Sequence, residues 1–226
     1  MHPCLTGIRV YFILPELFRL IPVYLCVLTL IIKINYTKTP SNPERGSMAI
    51  YRYKDAVPQI GEHCYISDSA RVIGDVILGE GCYVGHGAII RADYGKIRIG
   101  FGSAIEENAV IHARVGALYS LGKQVTLGHG AIVHGDSLGD FAVVGMGAVV
   151  GRQSVIGEWS IVAEGAVVPT GKSVEPGTIV AGIPAVSIGE VTQKHKEYWI
   201  WAKKMYRDLA RDYKSNLQRL DRKDLI

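Results

Sequence analysis

Three histidines have the residue type and spacing of a metal site. His129 and His134 lie five residues apart in "VTLGHGAIVHG", and the whole chain of 226 residues holds only seven histidines. His112 precedes His134 by 22 residues. Three imidazoles around an open fourth position suit zinc. The spacing therefore predicts that His112, His129 and His134 bind one metal ion, Zn²⁺ or, since imidazole suits these ions too, Fe²⁺ or Co²⁺.

The elements that must position these histidines follow a six-residue repeat. A small side chain often lies two residues before each branched aliphatic residue, and a glycine often follows it. A fixed period of six predicts an all-β solenoid, a parallel β-helix whose coils have three sides. Stacked coils would cover one another's apolar interior. The aliphatic positions are Ile60, Ile66, Val72, Leu78, Val84 and Ile90, and later Leu138, Val144, Val150, Ile156, Val162, Val168, Val174 and Val180.

On such a coil, the 22 residues from His112 to His134 make one turn of 18 plus four. His112 and His134 are therefore expected on adjacent coils of one face, with the extra residues in an outward loop within "RVGALYSLGK". His129 belongs near the opposite end of the same side. A neighbouring subunit would have to bring it to the other two, so the predicted site lies at a subunit interface.

Two cysteines also share one track of the repeat. Cys64 and Cys82 are 18 residues apart, which predicts that they stack one coil above the other. Buried free cysteine behaves as a small apolar residue, and this is the favoured interpretation. A redox or metal-binding pair is the alternative.

Composition limits the function classes. A net charge of +4 and the absence of a basic stripe interleaved with aromatics indicate no nucleic-acid partner. Four cysteines without a CxxC pair indicate a reducing compartment, and we predict a cytoplasmic protein.

The chain divides into three predicted parts. Residues 1–47 are an extension outside the fold, residues 48–189 the β-helix domain, and residues 190–220 a C-terminal helix. The apolar segment 11–32 contains Glu16 and Arg19, and its cleanest apolar run is shorter than the roughly 20 residues of a spanning helix. A membrane anchor in 11–32 is the alternative.

The period changes to a helical one near the C-terminus. One stripe holds Tyr198, Ala202, Met205, Leu209 and Tyr213, and most of the lysines and arginines lie elsewhere. The stripe is expected to face the β-helix or a neighbouring subunit, and the charges to face solvent.

Four segments, "RADYGKIRIG", "IEENAVIHA", "VTLGHGAIVHG" and "VGMGAVV", resemble the γ-class carbonic anhydrase family over residues 48–220. The resemblance is nearest to the phenylacetate-degradation and carnitine-operon members. It implies a left-handed β-helix and a homotrimer that shares its metal between subunits. By position, one subunit would supply His112 and His134, and the next would supply His129. Arg91 and Asp93 match a pair that joins subunits beside the metal.

Two acidic residues depart from the family pattern. Glu106 stands where the family usually has a glutamine that orients metal-bound solvent, and we predict a catalytic role for it as a proton acceptor. Glu107 stands where an aspartate is usual, among the residues that orient substrate and join subunits. The acidic loop that carries a proton-shuttle glutamate in the prototype is absent, and Arg114 and Val115 stand near that point.

The function implied first is reversible hydration of carbon dioxide by a zinc-bound hydroxide, since zinc lowers the pKa of bound water to about 7. Many hexapeptide-repeat proteins are instead CoA-dependent acyltransferases that use one histidine as a general base. Hydrolysis of a CoA thioester is a variant of the same chemistry. A trimeric scaffold without catalysis is a further alternative.

Overall fold

The chain folds into a parallel β-helix followed by one long α-helix. The computed structural model describes residues 49–220 and 222–225. The helix α1 spans Gln193–Asn216, and a 3₁₀ helix spans Arg222–Leu225. The strands are β1 (Ala49–Tyr51), β2 (Gln59–Ile60), β3 (Tyr65–Ile66), β4 (Arg71–Leu78), β5 (Tyr83–Val84), β6 (Ile89–Ile99), β7 (Ala104–Ile105), β8 (Val110–His112), β9 (Leu118–Leu121), β10 (Thr126–Leu127), β11 (Ile132–Val133), β12 (Ser137–Leu138), β13 (Val143–Val144), β14 (Val149–Val150), β15 (Val155–Ile156), β16 (Ile161–Val162), β17 (Val167–Val168), β18 (Ser173–Val174), β19 (Thr178–Ala181) and β20 (Val186–Glu190).

The short strands form three walls. One wall runs β8–β11–β14–β17, the second β9–β12–β15–β18, and the third β3–β5–β7–β10–β13–β16–β19. The long strand β6 pairs with both β8 and β9, so it joins the first two walls into one sheet. The pairs within the walls are parallel, except that β19 pairs with β20 in the antiparallel sense. The parallel β-helix predicted from the repeat is confirmed, and so is the left-handed form implied by the resemblance.

The aliphatic residues of the repeat fill the interior. Ile111, Val144 and Val150 have no exposed surface, and Val133 is 1% exposed. Ile111 pairs with Val133, which pairs in turn with Val150, so these side chains stack along the axis. Some glycines that follow the aliphatics are required by the closeness of the coils. A Cβ on Gly145 would lie 2.6 Å from the backbone nitrogen of Glu164 on the next coil.

The segment "RVGALYSLGK" is only partly the outward loop that was expected. Val115 is 79% exposed in a turn, but Leu118–Leu121 forms β9. Tyr119 and Leu121 are buried in the core. The four extra residues thus lie at the corner before β9. The second wall continues with β9, whose aliphatic residues are shifted relative to the six-residue period of the earlier coils.

Helix α1 lies along the third wall, and its inward face agrees with the predicted stripe only in part. Leu209 and Tyr213 of the stripe pack against the wall. Thr192 caps its first turn, and the helix contacts β3, β5 and β7. Tyr198 and Met205 are 57% and 50% exposed, whereas Lys203 and Ala210 are buried. The expectation of a solvent-facing charge is wrong for Lys203. The helical period shows which residues share a face, but tertiary contacts choose the face that is covered.

The predicted extension 1–47 and its apolar segment 11–32 lie outside the described residues. No helix in the described part of the chain is both long and apolar enough to cross a membrane. The domain boundaries stay predictions. Strand β20 ends at Glu190, and α1 begins at Gln193.

Candidate metal centre and active site

His112 and His134 lie side by side on adjacent coils. Ile111 of β8 pairs with Val133 of β11, so the residues that follow them are neighbours. His112 Nδ1 is 3.0 Å from His134 Nε2. The two rings are nearly perpendicular, with centroids 4.9 Å apart.

This pair fits two ligands of one metal ion. Two imidazole nitrogens on a tetrahedral zinc lie about 3.3 Å apart, given the usual Zn–N distance. The other ring nitrogen of His134, Nδ1, is buried and has no hydrogen-bond partner among the described residues. Burial is the largest influence that lowers the pKa of His134, and the positive charges of Arg152 and Arg114 act in the same direction. A lowered pKa keeps the imidazole neutral, as metal ligation requires.

Arg91 and Asp93 orient His112 from the neighbouring coil. Arg91 of β6 pairs with His112, and its guanidinium donates to Asp93 Oδ2 at 2.7 Å. Asp93 Oδ1 lies 3.2 Å from His112 Nε2. Burial alone would raise the pKa of Asp93, but the hydrogen bond to His112 and the charge of Arg91 lower it on balance. An ionised Asp93 accepts a hydrogen bond from Nε2–H of His112, which leaves the Nδ1 lone pair of His112 directed at His134.

His129 lies on a different edge of the β-helix, in the turn between β10 and β11. Its Nδ1 is 2.7 Å from Glu107 Oε2, and its Nε2 is 3.3 Å from Glu106 Oε2. In residues 49–220 and 222–225, one chain brings together no group of three or more histidine, cysteine or acidic side chains that could hold a metal. The structure therefore gathers the predicted site residues into two half-sites, one with His112 and His134 and the other with His129.

The two glutamates beside His129 differ in environment. Burial raises the pKa of Glu106, although the Tyr206 hydroxyl and His129 oppose this effect. Burial acts the same way on Glu107, but hydrogen bonds from Tyr83 and His129 outweigh it and lower the pKa of Glu107. The Tyr83 hydroxyl donates to Glu107 Oε1 at 2.6 Å. Glu106 is thus the carboxylate that holds a proton more readily, and Glu107 stays ionised to orient His129.

Helix α1 adds two groups that sequence reasoning missed. The Tyr206 hydroxyl lies near Glu106 and acts to lower its pKa against the effect of burial, and the Lys203 ammonium donates to Thr126 Oγ1 at 2.9 Å. Thr126 lies on β10, three residues before His129. No spacing in the chain connects residues 203 and 206 to the repeat, because the register of the helix on the wall depends on tertiary contacts.

A matched pair of tyrosines tests the buried hydrogen bonds near the two half-sites. The hydroxyl of Tyr119 is buried without a partner among the described residues, whereas that of Tyr83 bonds to Glu107. We expect Tyr119→Phe to leave the free energy of unfolding unchanged or to raise it by up to about 1 kcal/mol, and Tyr83→Phe to lower it by about 1.5–3 kcal/mol. Urea unfolding at equal protein concentration measures both. A loss of more than about 1 kcal/mol in Tyr119→Phe would show that its hydroxyl is bonded after all.

The fold and its six-residue repeat define a hexapeptide-repeat β-helix protein. A family described as "Bacterial transferase hexapeptide (six repeats)" matches residues 58–92. The carnitine operon protein CaiE of Shigella flexneri serotype 5b is 35% identical over 163 residues, which cover 72% of this chain and 83% of CaiE. The CaiE of Salmonella newport is 34% identical over the same share of this chain and 82% of its own. The chain therefore belongs to the hexapeptide-repeat transferase family and has CaiE among its relatives.

Two solved structures share the fold over most of their length. A hexapeptide transferase family protein from Anaplasma phagocytophilum is 34% identical, with a TM-score of 0.70 over 74% of this chain and 98% of that one. A Bacillus cereus protein described as a candidate acetyltransferase is 31% identical, with a TM-score of 0.73 over 76% and 100%. These likenesses show the broad family and not the γ-class in particular. They favour the acyl-transfer alternative more than they favour hydration of carbon dioxide.

Proposed function

We propose that the two half-sites meet between copies of this chain and hold one divalent metal ion, and that the protein hydrates carbon dioxide. The separation of 3.0 Å between His112 Nδ1 and His134 Nε2 carries this proposal. Two imidazoles held so closely, one of them fixed by Asp93, are arranged as metal ligands with their supporting carboxylate. His129 of a second copy would complete the three-histidine set.

A bound zinc, iron or cobalt ion supplies an activated water molecule at neutral pH. The side chains of the protein orient the histidines and hold the proton. Asp93 sets the tautomer of His112, and Arg91 holds Asp93 in place. Glu107 orients His129 through Nδ1. Glu106, buried beside His129, is placed to hold a proton at Oε2. Carbon dioxide is small and apolar, so a crevice between subunits suffices to admit it.

We propose a homotrimer for this assembly, since hexapeptide-repeat proteins commonly form one. Each copy offers both half-sites on different edges, so a ring of three copies forms three equivalent sites.

The second candidate is acyl transfer from CoA, which the family and its structural neighbours favour. The observation on this chain that suits it is His129. Its side chain is 47% exposed, and Glu107 binds its Nδ1 as the orienting carboxylate of a general base would. This chemistry needs one histidine and gives no role to the pairing of His112 with His134. Hydrolysis of a CoA thioester would instead use the metal and all three histidines.

One purified sample of the full chain tests these candidates together. Metal content is measured first, and the same sample is then assayed for carbon dioxide hydration by stopped flow and for CoA release from acetyl-CoA, with and without amine acceptors. We expect hydration that disappears on chelation and returns with Zn²⁺. Acyl transfer that survives chelation, without hydration, would replace the first candidate by the second. Metal-dependent CoA release without an acceptor would identify thioester hydrolysis.

A further inference from the structure

Outside the histidine site, a cavity lies beside a pair of thiols. It has a volume of about 690 Å³, and its wall includes Cys64, Tyr65 and Tyr213. Cys64 is partly exposed, and Cys82 at the equivalent position of the next coil is fully buried. No step of the proposed function uses either thiol.

The backbone holds the two cysteines at a distance suited to a disulfide. They immediately precede β3 and β5, which pair in parallel with Tyr65 opposite Tyr83. The Tyr65 amide donates to the carbonyl of Cys82 at 3.0 Å, so the two residues are one strand spacing apart. That spacing is about 4.8 Å, within the roughly 4.4–6.8 Å that separates the Cα atoms of disulfide-bonded cysteines.

The two thiols are chemically unequal. The neighbouring Cys82 thiol is the largest influence on Cys64, and although burial opposes it, the pKa of Cys64 falls to about 7. The nearby charge of Lys214 lowers it further. The contact with Cys64 and full burial both raise the pKa of Cys82. Cys64 is therefore the nucleophile, and Cys82 is the second thiol within reach of it.

We propose that Cys64 and Cys82 are a peroxide-reactive pair that closes reversibly into a disulfide between the first two coils. In the first step the Cys64 sulfur attacks one oxygen of hydrogen peroxide. An S–O bond forms, the O–O bond breaks, and the departing hydroxide takes a proton to become water. The sulfur loses two electrons and becomes a sulfenic acid, and the peroxide is reduced.

In the second step the Cys82 sulfur attacks the Cys64 sulfur. The S–S bond forms, the S–O bond breaks, and the hydroxyl leaves as water with the proton of Cys82. A dithiol restores both thiols by exchange.

Trypsin digestion makes the test direct, because Arg71 lies between the two cysteines. Cleavage after Lys54, Arg71 and Arg91 separates them into fragments 55–71 and 72–91. The folded full chain is treated with hydrogen peroxide in the presence of a chelator, alkylated and digested. We expect the two fragments to be joined, the intact mass to fall by about 2 Da, and dithiothreitol to reverse both changes. Cys64 should be alkylated about tenfold faster than an ordinary thiol at pH 7.

Two variants separate the steps. Cys82→Ser should stop at a sulfenic acid on Cys64 that dimedone traps, and Cys64→Ser should leave Cys82 unreactive in the folded protein. Peptides that stay separate after peroxide, with both thiols still free, would overturn the proposal. So would equal loss of the Cys82 thiol in Cys64→Ser. His134→Ala should form the disulfide normally, so this result is independent of the metal site.

Discussion

His129→Ala and His134→Ala are each expected to lose carbon dioxide hydration by about a hundredfold or more, and to recover part of it when the two proteins are mixed. Each substitution removes one imidazole from every site of its own homotrimer. In a mixed trimer, a His129→Ala copy still offers His112 and His134, and a neighbouring His134→Ala copy still offers His129. A site that combines these two intact halves regains its full ligand set.

The size of the recovery is predictable. In an equal, randomly assembled mixture, each of the two required copies is present at a given interface half of the time. About a quarter of the sites should therefore be complete, with metal content and activity rising together. The two chains can be co-expressed with different tags and the doubly tagged trimers isolated for metal analysis and stopped-flow assay. Purification removes the inactive single-type trimers, so in this sample about a third of the sites should be complete.

Two controls make this experiment decisive. Mixing His112→Ala with His134→Ala should restore nothing, because both substitutions damage the same half-site. His63→Asn should keep wild-type activity, since His63 is an exposed turn residue with a φ of 58°, which asparagine tolerates. Recovery in the His112 and His134 mixture, or none in the His129 and His134 mixture, would contradict a site shared between subunits.

Lys203→Met is expected to stabilise the protein, most strongly at acidic and neutral pH. Lys203 is 1% exposed, and its ammonium contacts the Thr126 hydroxyl and the face of Trp199, 5.3 Å from the ring centroid. No carboxylate in the described part of the chain forms an ion pair with it. Burial lowers the pKa of Lys203 to about 7, and the negative charge of Glu106 only partly opposes this. Methionine has a similar volume and no charge to bury.

The sign of the pH dependence follows from the two pKa values. Below pH 7 both the folded and the unfolded chain carry the proton, so the full cost of burying the charge is present. Between the folded value of about 7 and the unfolded value of 10.5, only the unfolded chain keeps it. The stability of the wild type should therefore rise with pH across this window. Lys203→Met should be more stable by about 1–4 kcal/mol at pH 6, and this advantage should shrink towards pH 10.

Urea unfolding at pH 6, 8 and 10 measures the difference at one fixed protein concentration, because dissociation of an oligomer would couple to unfolding. Lys204→Met is the matched control. Its side chain is 65% exposed and paired with Asp208, so a change within about 0.5 kcal/mol is expected. If Lys203→Met proved less stable at pH 6, the contacts of the ammonium with Thr126 and Trp199 would outweigh the cost of its burial.

The sequence by itself was enough to determine the solenoid and the pairing of His112 with His134. Each coil repeats the same local requirement, an aliphatic residue inside and a small one at the corner. Because the period is fixed, the number of residues between two positions predicts which wall and which coil each one occupies. The pairing of Ile111 with Val133 follows from that rule, and so do the stacked positions of Cys64 and Cys82. The strand β9 was missed because Leu118 and Tyr119 fall outside the period.

The tertiary structure alone decided the rest. It placed His129 between Glu106 and Glu107, and it turned Lys203 and Tyr206 of α1 towards the β-helix. The physical reason is that the sequence does not specify the register in which the helix packs against the coils. Its amphipathic period allows several faces to be covered, and the choice between them depends on side-chain fit against β3, β5 and β7. The β-helix can be predicted from the sequence because its pattern repeats in every coil. The contact between α1 and the third wall occurs once, so it leaves no periodic pattern in the sequence.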